Sequence, residues 1–101
     1  MRIAIASPDT QPGSVFDQAG RAPCYLVFDE AGDLLETVSN PFAVGGGGAG
    51  FGVAKMLADK SVDIVVAGKF GGNMEQAMAD RGLAHLVFSG TVAEAIGKAT
   101  S

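Results

Sequence analysis

Apolar residues fall in short blocks along this chain, and the spacing inside the blocks changes along its length. Residues 2–7 (RIAIAS) are nearly all apolar, which predicts a buried strand. A polar, Pro-containing loop runs from Pro8 to Gly20. Residues 24–29 (CYLVFD) predict a second strand and 34–39 (LLETVS) a third, with Glu30-Ala31-Gly32-Asp33 as the hairpin turn between them. Asn40-Pro41 ends the third strand, because proline has no N–H to give to a ladder. The period then lengthens. Phe51, Ala54, Leu57 and Ala58 recur at helical spacing and predict a helix over residues 49–60. Residues 63–68 (DIVVAG) have the short apolar run of a central parallel strand. A second helix is predicted over 73–81, with Asn73 as N-cap and Gln76 three residues on. Residues 84–88 (AHLVF) predict the last strand, and Thr91-Val92-Ala93-Glu94 is a capping box that opens a final helix.

The resulting order, β-β-β-α-β-α-β-α, is a meander followed by βαβ crossovers. It implies an α/β fold with a mixed sheet and helices packed on it. A strand order of 3-2-1-4-5, with strand 2 antiparallel, puts the two most apolar strands side by side in the centre. The chain has 101 residues, enough for one modest core, and shows neither an internal repeat nor a linker. One domain over residues 1–101 is the expectation.

Topology then gathers particular residues. If strands 1, 3, 4 and 5 point one way, every helix starts at the same sheet edge. The glycines Gly45, Gly46, Gly47, Gly48 and Gly50 open the first helix there. Gly68, Lys69, Phe70, Gly71, Gly72 and Asn73 open the second, and Thr91 opens the third. Ser7 ends the first strand at this edge, and the 8–21 loop brings Gly20 and Arg21 to it. Open α/β sheets bind ligands outside the carboxyl ends of their strands. Helix N-termini offer unpaired N–H groups and the positive end of the macrodipole. Three such starts beside Arg21 and Lys69 predict an anion-binding site. The plainer alternative is that the glycines make a flexible loop or allow helix and sheet to pack closely.

Composition and charge narrow the choice. The net charge is −4 and no basic stripe is present, which argues against nucleic acid as a partner. No apolar run approaches the roughly 20 residues of a membrane span, and the first residues are too short and too β-like for a signal peptide. A cytoplasmic location with no membrane partner is expected. Gly45, Gly47 and Gly50 match the dinucleotide fingerprint in letters, but the match follows Asn40-Pro41 rather than the first strand, and no Gly-Lys-Ser/Thr is present. The central strands lack the inner carboxylates of a metal-dependent nuclease. His85, the one histidine, opens the last strand at the edge away from the glycines and reads as a half-buried strand residue. A single cysteine excludes an intrachain disulfide. Cys24 reads as a small core hydrophobe; beside Arg21, where positive charge favours thiolate, it is also a candidate metal ligand. Met56, Met74 and Met78 sit at helical spacings and read as core filling. No acid, base and nucleophile converge, so a non-enzymatic role is expected.

The chain resembles the dinitrogenase iron–molybdenum cofactor biosynthesis family, the small NifX-like domains also found at the end of NifB proteins. The likeness lies in MRIAIAS, in GRAPCYLVFD (Gly20–Asp29), in NPFAVGGGGAG (Asn40–Gly50), in DIVVAGKFGGNMEQAM (Asp63–Met78) and in GTVAEAI (Gly90–Ile96). It implies a ribonuclease H-like fold and a non-catalytic role in nitrogen fixation or related chemistry. That role is carrying or helping to assemble an anionic metal–sulfur cluster, such as the iron–molybdenum cofactor, its precursor or another molybdenum–sulfur cluster, with cluster-assembly proteins as partners. Relatives commonly place His-Phe where this chain has Gln18 and Ala19, and a histidine where it has Gly46. The resemblance therefore implies a cluster held by main-chain N–H groups, Arg21 and Cys24 rather than by imidazole. A small phosphate- or carboxylate-bearing metabolite in the same cradle, and a glycine loop that contacts a partner protein, are the alternative readings.

Overall fold

The computed structural model describes residues 1–44 and 49–101; Gly45, Gly46, Gly47 and Gly48 lie outside the described residues. Five strands form one sheet in the order β3-β2-β1-β4-β5, as the alternation of strand and helix patterns predicts. These are β1 (Arg2–Ser7), β2 (Cys24–Asp29), β3 (Leu34–Ser39), β4 (Ile64–Ala67) and β5 (Ala84–Val87). Strand β2 is antiparallel to both β1 and β3, while β4 is parallel to β1 and β5 to β4. The helices are α1 (Ala49–Asp59), α2 (Gly72–Asp80) and α3 (Val92–Thr100), with a short 3-10 turn η1 (Ala19–Arg21) that the sequence periodicity does not announce.

The centre of the sheet is buried on both faces, and β1 divides its side chains between them. Ala4 and Ala6 face a layer built by Val53, Ala54 and Leu57 of α1 with Met74, Ala77 and Met78 of α2. Ile3 and Ile5 face Val92 and Ala95 of α3. Small side chains thus lie under the two-helix layer, and β-branched ones fill the space under the single helix, so that both sides pack densely. Met74 and Met78 are core residues, as their spacing predicts.

Strand β3 is an edge, and only Val38 on it is buried. Its register shifts between Val27 and Phe28, which pair with Glu36 and Leu34 and leave Leu35 as an extra residue. Such a bulge twists an edge away from further pairing. At the lower edge, Arg2 and Lys60 both bind the Glu36 carboxylate, at 3.3 and 2.6 Å, and tie β1 and the end of α1 to β3.

One stretch was legible only as a polar loop. Residues 8–18 form a strap across the upper edge, held by main-chain bonds to three different elements. Phe16 N–H donates to Ala6, Gly68 N–H donates to Phe16, and Val15 N–H donates to Gly90. Val92 N–H donates to Gly13 at 2.7 Å, and Ser14 forms an isolated bridge with Thr91.

Candidate functional site at the upper sheet edge

The helices α1 and α2 begin side by side. A Cβ on Gly50 would lie 2.9 Å from Met74 Cβ and 3.0 Å from its nitrogen, so the two first turns are in backbone-limited contact. Their N-termini consequently open on the same edge and the same face of the sheet. At the start of α2, Cβ atoms on Gly71 and Gly72 would meet nothing within 4 Å, and both residues are exposed. The first-turn N–H groups of a helix have no intrahelical acceptor and carry the positive end of its dipole. Among the described residues, none lies within 4 Å of where a Cβ on Gly71 or Gly72 would stand.

Arg21 reaches this edge through η1. The Ala19 N–H donates to the Lys69 carbonyl at 2.9 Å, which sets the Arg21 turn beside the segment leading into α2. The Tyr25 hydroxyl, fully buried under the turn, donates to the Ala19 carbonyl. Burial pushes the Tyr25 phenol far above its ordinary value, so it stays a donor. Asn40 Nδ2 donates to Ala22 at 2.9 Å and to Gly20 at 3.3 Å, while its Oδ1 accepts from Phe42 N–H. Asn40 therefore holds Gly20 and Arg21 to the segment that runs toward the glycine stretch. Its sequence signal, an Asn before Pro at a strand end, suggested only a breaker. Arg21 and Lys69 are exposed, and Phe70 is half-buried against the two-helix core.

Other expected members of the site are engaged elsewhere. Ser7 is fully buried and its hydroxyl donates to the Asp9 carbonyl at 2.6 Å. A Cβ on Gly68 would come within 2.8 Å of the Asp17 carbonyl oxygen, so this glycine admits the strap. Gly50 likewise has a packing role, which the plainer reading of the glycines anticipated. Asn73 is not the cap of α2: the helix begins one residue earlier, and Gly71 is the N-cap with no side-chain bond. Thr91 caps α3 as its motif predicts, accepting from Glu94 N–H at 3.1 Å. That helix lies on the opposite face of the sheet, and Val92 N–H is spent on Gly13. Two helix starts, not three, face one another at the described edge.

The Glu94 carboxylate accepts from Thr91 N–H and hydroxyl, both at 3.0 Å, and these bonds hold it below the ordinary glutamate range. The stability it adds is present at neutral pH and lost as pH falls through its lowered value. Replacing Thr91 with alanine is expected to cost about 1 kcal/mol in a urea melt. An unchanged midpoint would show that the strap alone holds α3.

Cys24 is buried, and its Sγ lies 2.9 Å from the Asp9 carbonyl and 3.7 Å from that of Ser7. Burial pushes its thiol above the ordinary range, which disfavours thiolate. Among the described residues no group of three or more His, Cys, Asp or Glu side chains converges as metal ligands do.

His85 stands at the start of the last strand as expected, but it is exposed rather than half-buried. It pairs with Val65 in the ladder, one residue above the lower end of β5, and its ring packs 4.9 Å from that of Phe70. The imidazole therefore touches the segment that leads into α2 instead of lying away from it.

In class, the protein is an open α/β sheet whose parallel strands deliver two adjacent helix starts and a basic turn to their carboxyl edge. The chain belongs to the dinitrogenase iron–molybdenum cofactor family, whose model matches residues 1–101. Among solved structures it is similar to the apo form of the orange protein from Desulfovibrio gigas, with 26% identity, TM-score 0.85, and coverage of 96% of this chain and 84% of that one. It is also similar to a putative NifB protein from Thermotoga, with 31% identity, TM-score 0.81, and coverage of 98% and 86%. The structure of a third protein, PH0822, shares the fold at 20% identity and TM-score 0.79. No match was found among curated proteins.

Proposed function

We propose that this protein binds and carries an anionic metal–sulfur cluster without catalysing a reaction. In this reading the cradle is made by the N-termini of α1 and α2, the Gly71-Gly72 backbone, Arg21 and Lys69. The carrying observation is the backbone-limited contact of Gly50 with Met74, which sets two helix N-termini together at one edge of a chain from a cofactor family. Each N-terminus contributes roughly half an elementary positive charge, and the guanidinium adds directed donors. Such donors suit the sulfide surface of a polyanionic cluster and need no open metal coordination. Gly45–Gly48 belong to the same proposed cradle on sequence grounds.

The test mixes purified apo protein with tetrathiomolybdate and follows absorbance and co-migration in gel filtration. Arg21→Ala is expected to weaken binding about tenfold, the size of one charge-assisted hydrogen bond. Equal binding by wild type and variant would overturn the assignment of the site.

The buried, protonated state favoured for Cys24 supports a second reading: a small phosphate or carboxylate metabolite in the same cradle. A thermal-shift screen separates the two, since a ligand at 100 times its Kd adds about 2.7 kcal/mol of stability. Stabilisation by a metabolite with none by thiomolybdate selects the metabolite.

A further inference from the structure

Glu75 is the acidic residue in the first turn of α2, the helix whose N-terminus opens at the candidate site. A carboxylate in that position favours the helix. It also repels any second anion arriving at the same N–H groups, because one helical turn is shorter than the screening length of about 8 Å at physiological salt. His85 Nε2 lies 3.3 Å from Glu75 Oε2. The Phe70 ring packs 4.9 Å from the imidazole, tilted by 59° against it. The base that could offset the Glu75 charge is thus held in place by a residue of the segment entering α2.

We propose that the His85–Glu75 pair tunes anion affinity at the α2 N-terminus, raising it when the imidazole carries its proton. With His85 protonated, the Glu75 charge is compensated and the helix dipole acts on the incoming anion undiminished. With His85 neutral, Glu75 stands as a fixed negative charge beside the cradle. Histidine is the side chain that ordinarily changes charge between pH 5 and 8, and this chain has one. Among the described residues, Glu75 is the one ion-pair partner of His85, and Val65 is its ladder neighbour on β4. The terminal amine lies at the opposite edge, where its 2.7 Å bond to Glu30 raises it above its ordinary value.

The inference rests on the cluster-binding reading, and the test separates the two. Tetrathiomolybdate affinity is measured at pH 6.5 and 8.5 for wild type, Glu75→Gln and His85→Gln. In parallel, the backbone amide shifts of Gly71, Gly72 and Asn73 are followed by NMR over the same range without any anion. Wild type is expected to bind roughly two- to five-fold more tightly at pH 6.5, the span of one charge at a helix terminus. Glu75→Gln should bind tightly at both values, and His85→Gln weakly at both. A merely structural role for the pair would leave the pH profile of Glu75→Gln like that of wild type. Binding that is equal at both pH values in wild type overturns the tuning and leaves the cluster reading standing. Absence of binding at either pH overturns the cluster reading. The tuning then stands on the amide shifts: signals that titrate in wild type and stay flat in His85→Gln support it, and flat signals in both overturn it.

Discussion

Gly50→Val should destabilise the protein by about 1–3 kcal/mol and loosen the proposed anion cradle with it. The added Cβ would lie 2.9 Å from Met74 Cβ, 3.0 Å from Met74 N and 3.1 Å from its Cα. None of these atoms can swing aside by a rotamer change, so α1 and α2 must separate. Helix propensity does not rescue the variant, because glycine and valine differ by only a few tenths of a kcal/mol in a helix. Separation also moves apart the two N-termini whose fields add at the edge. The control is Gly72→Ala, whose Cβ would meet nothing within 4 Å. It should be neutral or mildly stabilising. Urea melts check both, and a Gly50→Val midpoint equal to wild type would show that the helices are not in backbone-limited contact.

The second large effect is expected at Tyr25. Removal of its hydroxyl in Tyr25→Phe leaves the Ala19 carbonyl, itself buried, without the donor it has now. An unsatisfied buried acceptor costs about 1–3 kcal/mol. The loss falls on η1, so Arg21 should lose definition as well as the fold losing stability. Amide exchange at residues 19–22 should accelerate in the variant, and unchanged exchange would place the anchoring on Asn40 instead. The bond also carries a pH signature. Burial raises the phenol in the folded state, so its contribution is complete below the free tyrosine value of about 10 and is lost as pH climbs past it. Tyr25→Phe should remove part of the alkaline sensitivity.

Elements with a strong period could be read from the residues, and those set by contacts between distant segments could not. The apolar runs of β1 and β2 and the Thr91–Glu94 capping box determine their own limits, because strand burial and capping are local chemistry, while β4 is one residue shorter at each end than its apolar run suggests. The start of α2 was misplaced by one residue. Asn73 is a good N-cap by type, yet the helix opens on Gly71 with no side-chain bond. The three-residue η1 has no period to detect, and Asn40 and Tyr25 fix it from other strands. Glycine at 50 and 68 could be read from sequence as a ligand-binding backbone; the neighbours that demand glycine there, Met74 and Asp17, are distant in sequence. The same holds for His85, whose ring meets Phe70 only because β5 lies beside β4 under α2.

The strap over residues 8–18 bears on how the chain reaches and leaves its native state. It joins Gly13 to Val92 and Val15 to Gly90, contacts between nearly opposite ends of the sequence. Loop closure on that scale rewards the chain only after β4, β5 and the start of α3 are in position. The upper edge is thus assembled after the sheet that supports it. In reverse, breaking the few main-chain bonds of the strap frees the upper edge while the β1–β2–β4 ladder remains intact, a local opening of lower energy than global unfolding. A cargo that binds only the closed edge would slow this opening first, so protection from proteolysis within residues 8–18 is a direct gauge of occupancy.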